Sequence, residues 1–234
     1  LVTTPATARE TTSGKTVVDR LSSLLEGDLA SVETLLKSRA ASPVDVIPDM
    51  SDYIVSAGGK RLRPIITLAA AQAVGETNPS THSLAAAVEF IHTATLLHDD
   101  VIDESDLRRG KPAAKSVWGN SASILVGDFL FARAFTLMVD TGSLEILEIL
   151  SNASSVIAEG EVRQLAAQGK PDLPTEDYLA IIEAKTAALF EAAARAGAIS
   201  GGGADHADAL ATYGKNLGLA FQIVDDVLAY GGTT

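Results

Sequence analysis

The sequence has no cysteine, a single tryptophan and only 5% aromatic residues. Without cysteine there is neither a disulfide framework nor a thiolate metal site, and such a composition suits a reducing cytoplasm. Positive charge is also scarce, with 18 Lys and Arg against 30 Asp and Glu, a net charge of −12. That balance argues against a nucleic-acid partner or an anionic-membrane surface, so any cations that bind anions must be gathered locally. No uncharged apolar run approaches the roughly 18 residues needed to span a bilayer, and the first residues lack the basic-then-apolar order of a secretory signal. The expectation is a soluble, cytoplasmic protein with no transmembrane segment.

Apolar residues make up 47% of 234 positions, enough to bury a substantial core. Residues 1–15, rich in Thr, Ser, Ala and Gly without apolar period, predict a flexible tail. From Val17 onward, Leu21, Leu24, Leu25, Val32, Leu35 and Leu36 fall mostly at three- and four-residue steps, the stripe of an amphipathic helix. Further helices are predicted over 45–57, 62–75, 81–103, 121–141, 143–168, 175–200 and 205–230. The breaks between them include Gly58-Gly59, the 104–120 segment, the Gly169–Pro174 stretch and "GGG" at 201–203. Alternating strand patterns are scarce. The fold class expected is all-α, a single large helical bundle over residues 16–234.

Asp99, Asp100 and Asp103, in "LLHDDVIDESDLRRGKP", close one apolar run, and Asp225 and Asp226 close another, "GLAFQIVDD". Two carboxylates about 4 Å apart repel by about 4 kcal/mol at an effective dielectric near 20. Each cluster therefore wants protonation, solvation or a cation. On a helix Asp99 and Asp103 share a face while Asp100 is turned by about 100°. Alone, the triplet fits a solvated helix end as well as a metal site, and a lone Asp pair is usually just hydrated. Together, two acidic rims can face one another across a bundle and share Mg²⁺ or Mn²⁺, hard ions suited to oxygen ligands. Mg²⁺ held by one or two carboxylates normally completes its shell with water and phosphate, which implies a phosphorylated ligand.

The cations gather in two places, "GGKRLRP" with Lys60, Arg61 and Arg63, and "LRRGKP" with Arg108, Arg109 and Lys111. Arginine forks grip phosphate oxygens and lysine adds a point charge, so two anionic groups can be held. His92, within the helix that ends at the Asp triplet, is a candidate donor to a diphosphate; His98 is read as structural. Lys185 and Thr186 place a cation amid the apolar run "EAKTAALFEAAARAGA", as a snorkelling surface lysine or as part of a site.

In order, "GGKRLRP", "EFIHTATLLHDDVIDESDLRRGKP", "LVGDFLFARAF", "EAKTAALFEAAA" and "GLAFQIVDD" resemble the trans-type polyprenyl diphosphate synthases over most of 45–230. The resemblance implies a helical bundle of the isoprenoid synthase type, usually a homodimer, with two Asp-rich motifs facing across a deep apolar cavity. It implies that Asp99, Asp100, Asp103, Asp225 and Asp226 bind Mg²⁺ around an allylic diphosphate, farnesyl or geranylgeranyl, held by Arg108 and Lys185. Lys60, Arg63, His92 and Arg109 would hold isopentenyl diphosphate, and Thr186 and Gln222 would line the path of the developing cation. The helix before the first motif would act as a ruler, meeting Thr95, then Ile91 and His92, then Val88 and Leu84, one turn at a time. Small Ala94 and Thr95, and the form "DDVIDESDLRRG", resemble the long-chain quinone side-chain synthases.

Two departures stand out. Ala229 occupies the place where the family's second motif usually carries a third Asp, and the sequence ends at "YGGTT" without the family's later helices. These features motivate a rival, a weakly active or non-catalytic subunit of a synthase complex. Other readings are a short-chain farnesyl or geranylgeranyl diphosphate synthase and a terpene cyclase. The cyclase has no need of the second set of cations at Lys60, Arg63 and Arg109.

Overall fold

Asn78 and Pro79 start the most deeply buried long helix for chemical reasons. The Asn78 side chain accepts from the Thr81 amide while the Thr81 hydroxyl accepts from the Asn78 amide, and Pro79 supplies a preset φ where no amide hydrogen is needed. This helix, α5 (Pro79–Ile102), has Leu84, Ala85, Ala86, Ala87 and Val88 fully enclosed, because its apolar residues run round the whole circumference. It runs through the middle of an all-α bundle. The structure, a computed structural model, describes residues 16–56, 59–169 and 172–230; the tail expected over 1–15, Gly58 and residues 231–234 lie outside them.

Before α5 come α1 (Val17–Leu24), α2 (Glu26–Ala40), α3 (Val46–Ser56) and α4 (Leu62–Val74). After it come a hairpin of β1 (Leu107–Arg108) and β2 (Lys111–Pro112), then α6 (Ala114–Trp118), α7 (Asn120–Asp140) and α8 (Leu144–Ala167). The chain continues through α9 (Thr175–Ile182), a π-helical turn (Glu183–Ala187), α10 (Ala188–Ser200), a 3₁₀ turn (Ala204–His206) and α11 (Ala207–Tyr230). Helix α5 packs against α2, α4, α7 and α10, and buried apolar residues from Leu25 to Ala196 form one core cluster.

Three features depart from the sequence expectation. The first apolar stripe is two helices, not one, divided at fully buried Leu25. The 104–120 break contains an antiparallel hairpin and a short helix, with Arg109 and Gly110 both at positive φ in the two-residue turn, as strand twist requires. The helix predicted over 175–200 is continuous but widens at Glu183–Ala187. By length and composition α7 is apolar enough to cross a membrane; here it lies along α5 with Leu130, Ala134, Leu137 and Met138 in the core.

Candidate active site

Helix α11 reaches the site because residues facing its neighbours are small. A Cβ on Gly218 would lie 2.6 Å from the Ala187 Cα, so only glycine lets α11 press this closely against the π turn. One turn later, Gln222 meets Thr186, whose hydroxyl donates to the Gln222 Oε1 at 2.7 Å. The widened turn presents Lys185 and Thr186 together on the inner side; π turns of this kind concentrate at functional sites.

These elements enclose a cavity of about 620 Å³ between α5, the basic segment before α4, the hairpin, α8, the π turn and α11. Asp99, Asp103 and Asp225 line it, as do Lys60, Arg63, His92, Arg108, Arg109, Lys185, Thr186 and Gln222. The two acidic rims thus share one pocket. Asp100 and Asp226 do not line it. The sequence had grouped Asp100 with its neighbours as a ligand, but the 100° step turns it inward. There it is 2% exposed and accepts from Arg108 through Nε at 3.0 Å and Nη2 at 2.7 Å. Asp226 likewise accepts from the Tyr178 hydroxyl at 2.6 Å and from Gln222 Nε2 at 2.9 Å. The bond to Asp226 pushes the Tyr178 hydroxyl up to about 12, so it stays a donor.

The cavity is electrically divided. At one end lie Asp99, Asp103, Glu161 and Asp225, with Lys185 between Glu161 Oε2 at 2.9 Å and Asp99 Oδ2 at 3.5 Å. Burial pushes the Asp99 carboxyl up to about 6; Lys185 pulls it down, while Glu161 and Asp103 push it further up. Among the described residues no three His, Asp or Glu side chains converge as a self-sufficient metal cage. The donor set still fits a hard dication. All its atoms are oxygen, Asp99 of α5 and Asp225 of α11 line the same cavity, and the buried Glu161 Oε1 has no hydrogen-bond partner. An ion that borrows phosphate oxygens needs no complete protein cage.

Toward the other end lie Lys60, Arg61, Arg63 and Arg109 with one buried carboxylate, Glu89, which faces Arg61 and Arg63, while Arg108 is tied to Asp100. Arg61 pairs with Glu89 at 2.8 Å and Glu33 at 2.6 Å, and donates to the Val55 carbonyl. Arg63 lies 4.7 Å over the Phe190 ring; burial lowers its pKa to about 10, still cationic at neutral pH, and its Nε is buried without a partner. Burial, then Arg63, Arg108, Arg109 and Arg61, hold His92 well below its ordinary pKa, so it faces the cavity as a neutral imidazole able to donate one N–H. Arg61 and Arg109 both adopt left-handed backbone, at φ 49° and 52°. Such conformations are costly for non-glycine residues and cluster at functional sites.

A second cavity, about 330 Å³ and mostly apolar, opens beside the acidic end between α5, α7 and α8, with Ile91, Ala94, Phe131 and Ile157 on its walls. Thr95, Asp99 and Glu161 line both spaces and form the neck. The ruler expected from the sequence is corrected here. Ile91 faces the apolar chamber whereas His92, one residue on, faces the polar cavity, and Val88 and Leu84 are packed in the core.

Glu89, Glu161 and Tyr178 were given no site role by the sequence, and Arg61, counted there among the cations able to hold an anion, is instead paired with Glu33 and Glu89. A charged residue inside the apolar run of α5 was a usable signal for Glu89; Glu161 and Tyr178 gave none, since their partners come from distant segments.

A family model, Polyprenyl synthetase, matches residues 44–234. The chain is 49% identical over 214 residues to the octaprenyl diphosphate synthase of Escherichia coli (strain K12), covering 91% of this chain and 66% of that protein. Its structure is similar to a polyprenyl synthase from Caulobacter crescentus CB15 complexed with calcium and isoprenyl diphosphate, with TM-score 0.90 and 58% identity, over 93% of this chain and 66% of that one. It is also similar to a decaprenyl diphosphate synthase from Rhodobacter capsulatus, with TM-score 0.89 and 54% identity, over 92% and 67%. The chain thus spans about two thirds of the length of these relatives.

Proposed function

The chain belongs to the polyprenyl synthetase family, and from that premise we propose that it condenses an allylic diphosphate with isopentenyl diphosphate to make a long-chain polyprenyl diphosphate. One observation carries the reading: a single cavity has an acidic end and a basic end, and an apolar chamber opens at the acidic one.

In this reading Asp99, Asp103 and Asp225 face the allylic diphosphate, with Asp100 and Asp226 joining when their present partners release them. Lys185 holds that diphosphate, and Arg108 does so in competition with Asp100. Mg²⁺, or Mn²⁺, bound there would supply positive charge to the departing anion; the calcium of the Caulobacter relative supports a divalent ion. Lys60, Arg63 and Arg109 grip isopentenyl diphosphate, and neutral His92 donates to it. The allylic C–O bond breaks with its electron pair leaving on the diphosphate, and the alkene of isopentenyl diphosphate attacks the cation. Loss of a proton then restores a double bond. The linked Thr186 and Gln222 line the path of the cation, and the chamber walls exclude water that would quench it.

Farnesyl or geranylgeranyl diphosphate is the proposed starter, with the tail growing past Thr95 into the chamber. Small Ala94 and the octaprenyl and decaprenyl activities named for the relatives support a long product. A cytoplasmic homodimer is part of the proposal, and large apolar side chains left exposed on α7 and α8, including Leu125 and Val162, support the dimer.

The test is incubation with Mg²⁺, farnesyl diphosphate and radiolabelled isopentenyl diphosphate, with products resolved by length, for this chain and for a form extended to its relatives' length. Elongation to long chains is expected, and its absence from both forms would overturn the proposal. The weakly active subunit is the second reading, favoured by exposed Ala229 one turn beyond Asp225, where no carboxylate can assist. Turnover that rises on Ala229→Asp favours a catalyst with a weakened metal rim; no gain in the extended form favours the subunit.

A further inference from the structure

We propose that Glu161 is a positioning residue for Lys185: it holds the ammonium group off Asp99 and so keeps that carboxylate open to a divalent cation and an allylic diphosphate. The inference rests on the functional reading above and assigns a residue that the reading did not need.

The arrangement is built by close backbone approach. A Cβ on Gly160 would fall 2.8 Å from the Ala184 Cβ and 3.0 Å from the Lys185 amide nitrogen, so α8 can lie against the π turn only with glycine there. The next residue, Glu161, is thereby set beside Lys185. Its Oε2 accepts from the Lys185 Nζ at 2.9 Å, whereas Asp99 Oδ2 is at 3.5 Å. All three side chains are mostly shielded, at 18%, 23% and 14% exposure for Glu161, Lys185 and Asp99. Of the two acceptors, Glu161 has the better geometry and takes the hydrogen bond.

The second oxygen of Glu161 is buried with no partner, an arrangement that costs free energy unless the site uses the charge. Glu161 also stands at the neck between the polar cavity and the apolar chamber, where the reacting end of an allylic substrate must sit. Removing its charge leaves Asp99 as the acceptor nearest to Lys185. The two, already an ion pair at 3.5 Å, would close to full hydrogen-bond contact, and a lysine committed to Asp99 blocks that carboxylate and is itself lost to the diphosphate. Glu161 thus acts through Lys185, at the allylic end alone.

The test is a double-mutant cycle on Glu161→Gln and Lys185→Met, with Glu161→Asp as the charge-conserving control. Binding of farnesyl thiodiphosphate, which ionises too slowly to react, is measured calorimetrically with Mg²⁺ present, and binding of isopentenyl diphosphate is measured alongside. Thermal unfolding shows that each variant folds. Glu161→Gln is expected to weaken farnesyl thiodiphosphate binding about tenfold, mid-range for coupled neighbours, and to leave isopentenyl diphosphate unaffected. Glu161→Asp should recover part of the loss. In the Lys185→Met background the same Glu161→Gln change should have no cost. An equal loss in both backgrounds, or no loss in either, overturns the inference. If the unaltered protein binds neither diphosphate, the functional reading falls and takes this one with it; if it binds both and the cycle is additive, only this one falls.

Discussion

Gly218→Ala sets two opposed effects against each other at the contact that places α11. Alanine in a helix interior gains about 1 kcal/mol over glycine from backbone entropy. The new methyl, however, meets the Ala187 Cα at 2.6 Å and both the Ala187 and Phe190 Cβ atoms at 3.1 Å. Relaxing the shortest of these to an ordinary 3.4 Å requires α11 to retreat by about 0.8 Å. Overpacking of that kind costs about 1–3 kcal/mol. The retreat also stretches the 2.7 Å Thr186–Gln222 hydrogen bond beyond useful range, for about 1 kcal/mol more. The clash wins, and Tm should fall by roughly 3–10 °C. Turnover should fall on the order of 10²-fold, the usual penalty for misplacing reacting groups by nearly 1 Å. Thermal unfolding and single-turnover elongation measure the two. A raised Tm with unchanged turnover would show that α11 is free to shift and that the tight contact does not position Gln222.

Other consequences are equally open to measurement. Arg63→Met should weaken isopentenyl diphosphate binding about 10- to 100-fold by calorimetry, the range for a lost charge-assisted hydrogen bond, and barely change binding of the allylic analogue. Ala94→Phe should fill the apolar chamber and shift products to shorter chains on thin-layer separation, without loss of the first condensation. His92 is depressed by its burial and cationic neighbours, so the unfolded chain takes up the proton first. That contribution to stability is complete above the unfolded value of 6.5 and is lost as pH falls below it. Unfolding midpoints of His92→Gln should therefore decline less between pH 7 and pH 5 than those of the unaltered protein.

The helices were legible because apolar residues recur at helical steps and Gly or Pro marks most breaks, so seven of the ranges agree with the structure to within about two residues. The division at Leu25 was hidden, since its leucines carry the apolar stripe straight across it. The hairpin at Leu107–Pro112 has strands of two residues each, too short for alternation to register. At the site, residue type and spacing were enough to nominate the carboxylates and cations, and eleven of the thirteen nominees line the one cavity. Spacing did not reveal that Asp100 and Asp226 would be occupied by Arg108 and Tyr178. Those pairings depend on where the hairpin and α9 dock, and Glu161 meets Lys185 only because α8 lies against the π turn at Gly160.

The stretch Glu183–Ala187 holds one more residue than an ordinary turn of the same height. Loss of a single residue within it would restore regular helix and leave the flanking segments in register, but the widened turn that presents Lys185 and Thr186 side by side to the cavity would be gone. Hydropathy, charge and helical content would scarcely change. Folding is therefore a poor guide to the worth of this extra residue: a one-residue deletion here should spare the bundle and fall instead on turnover, by misplacing Lys185 and Thr186.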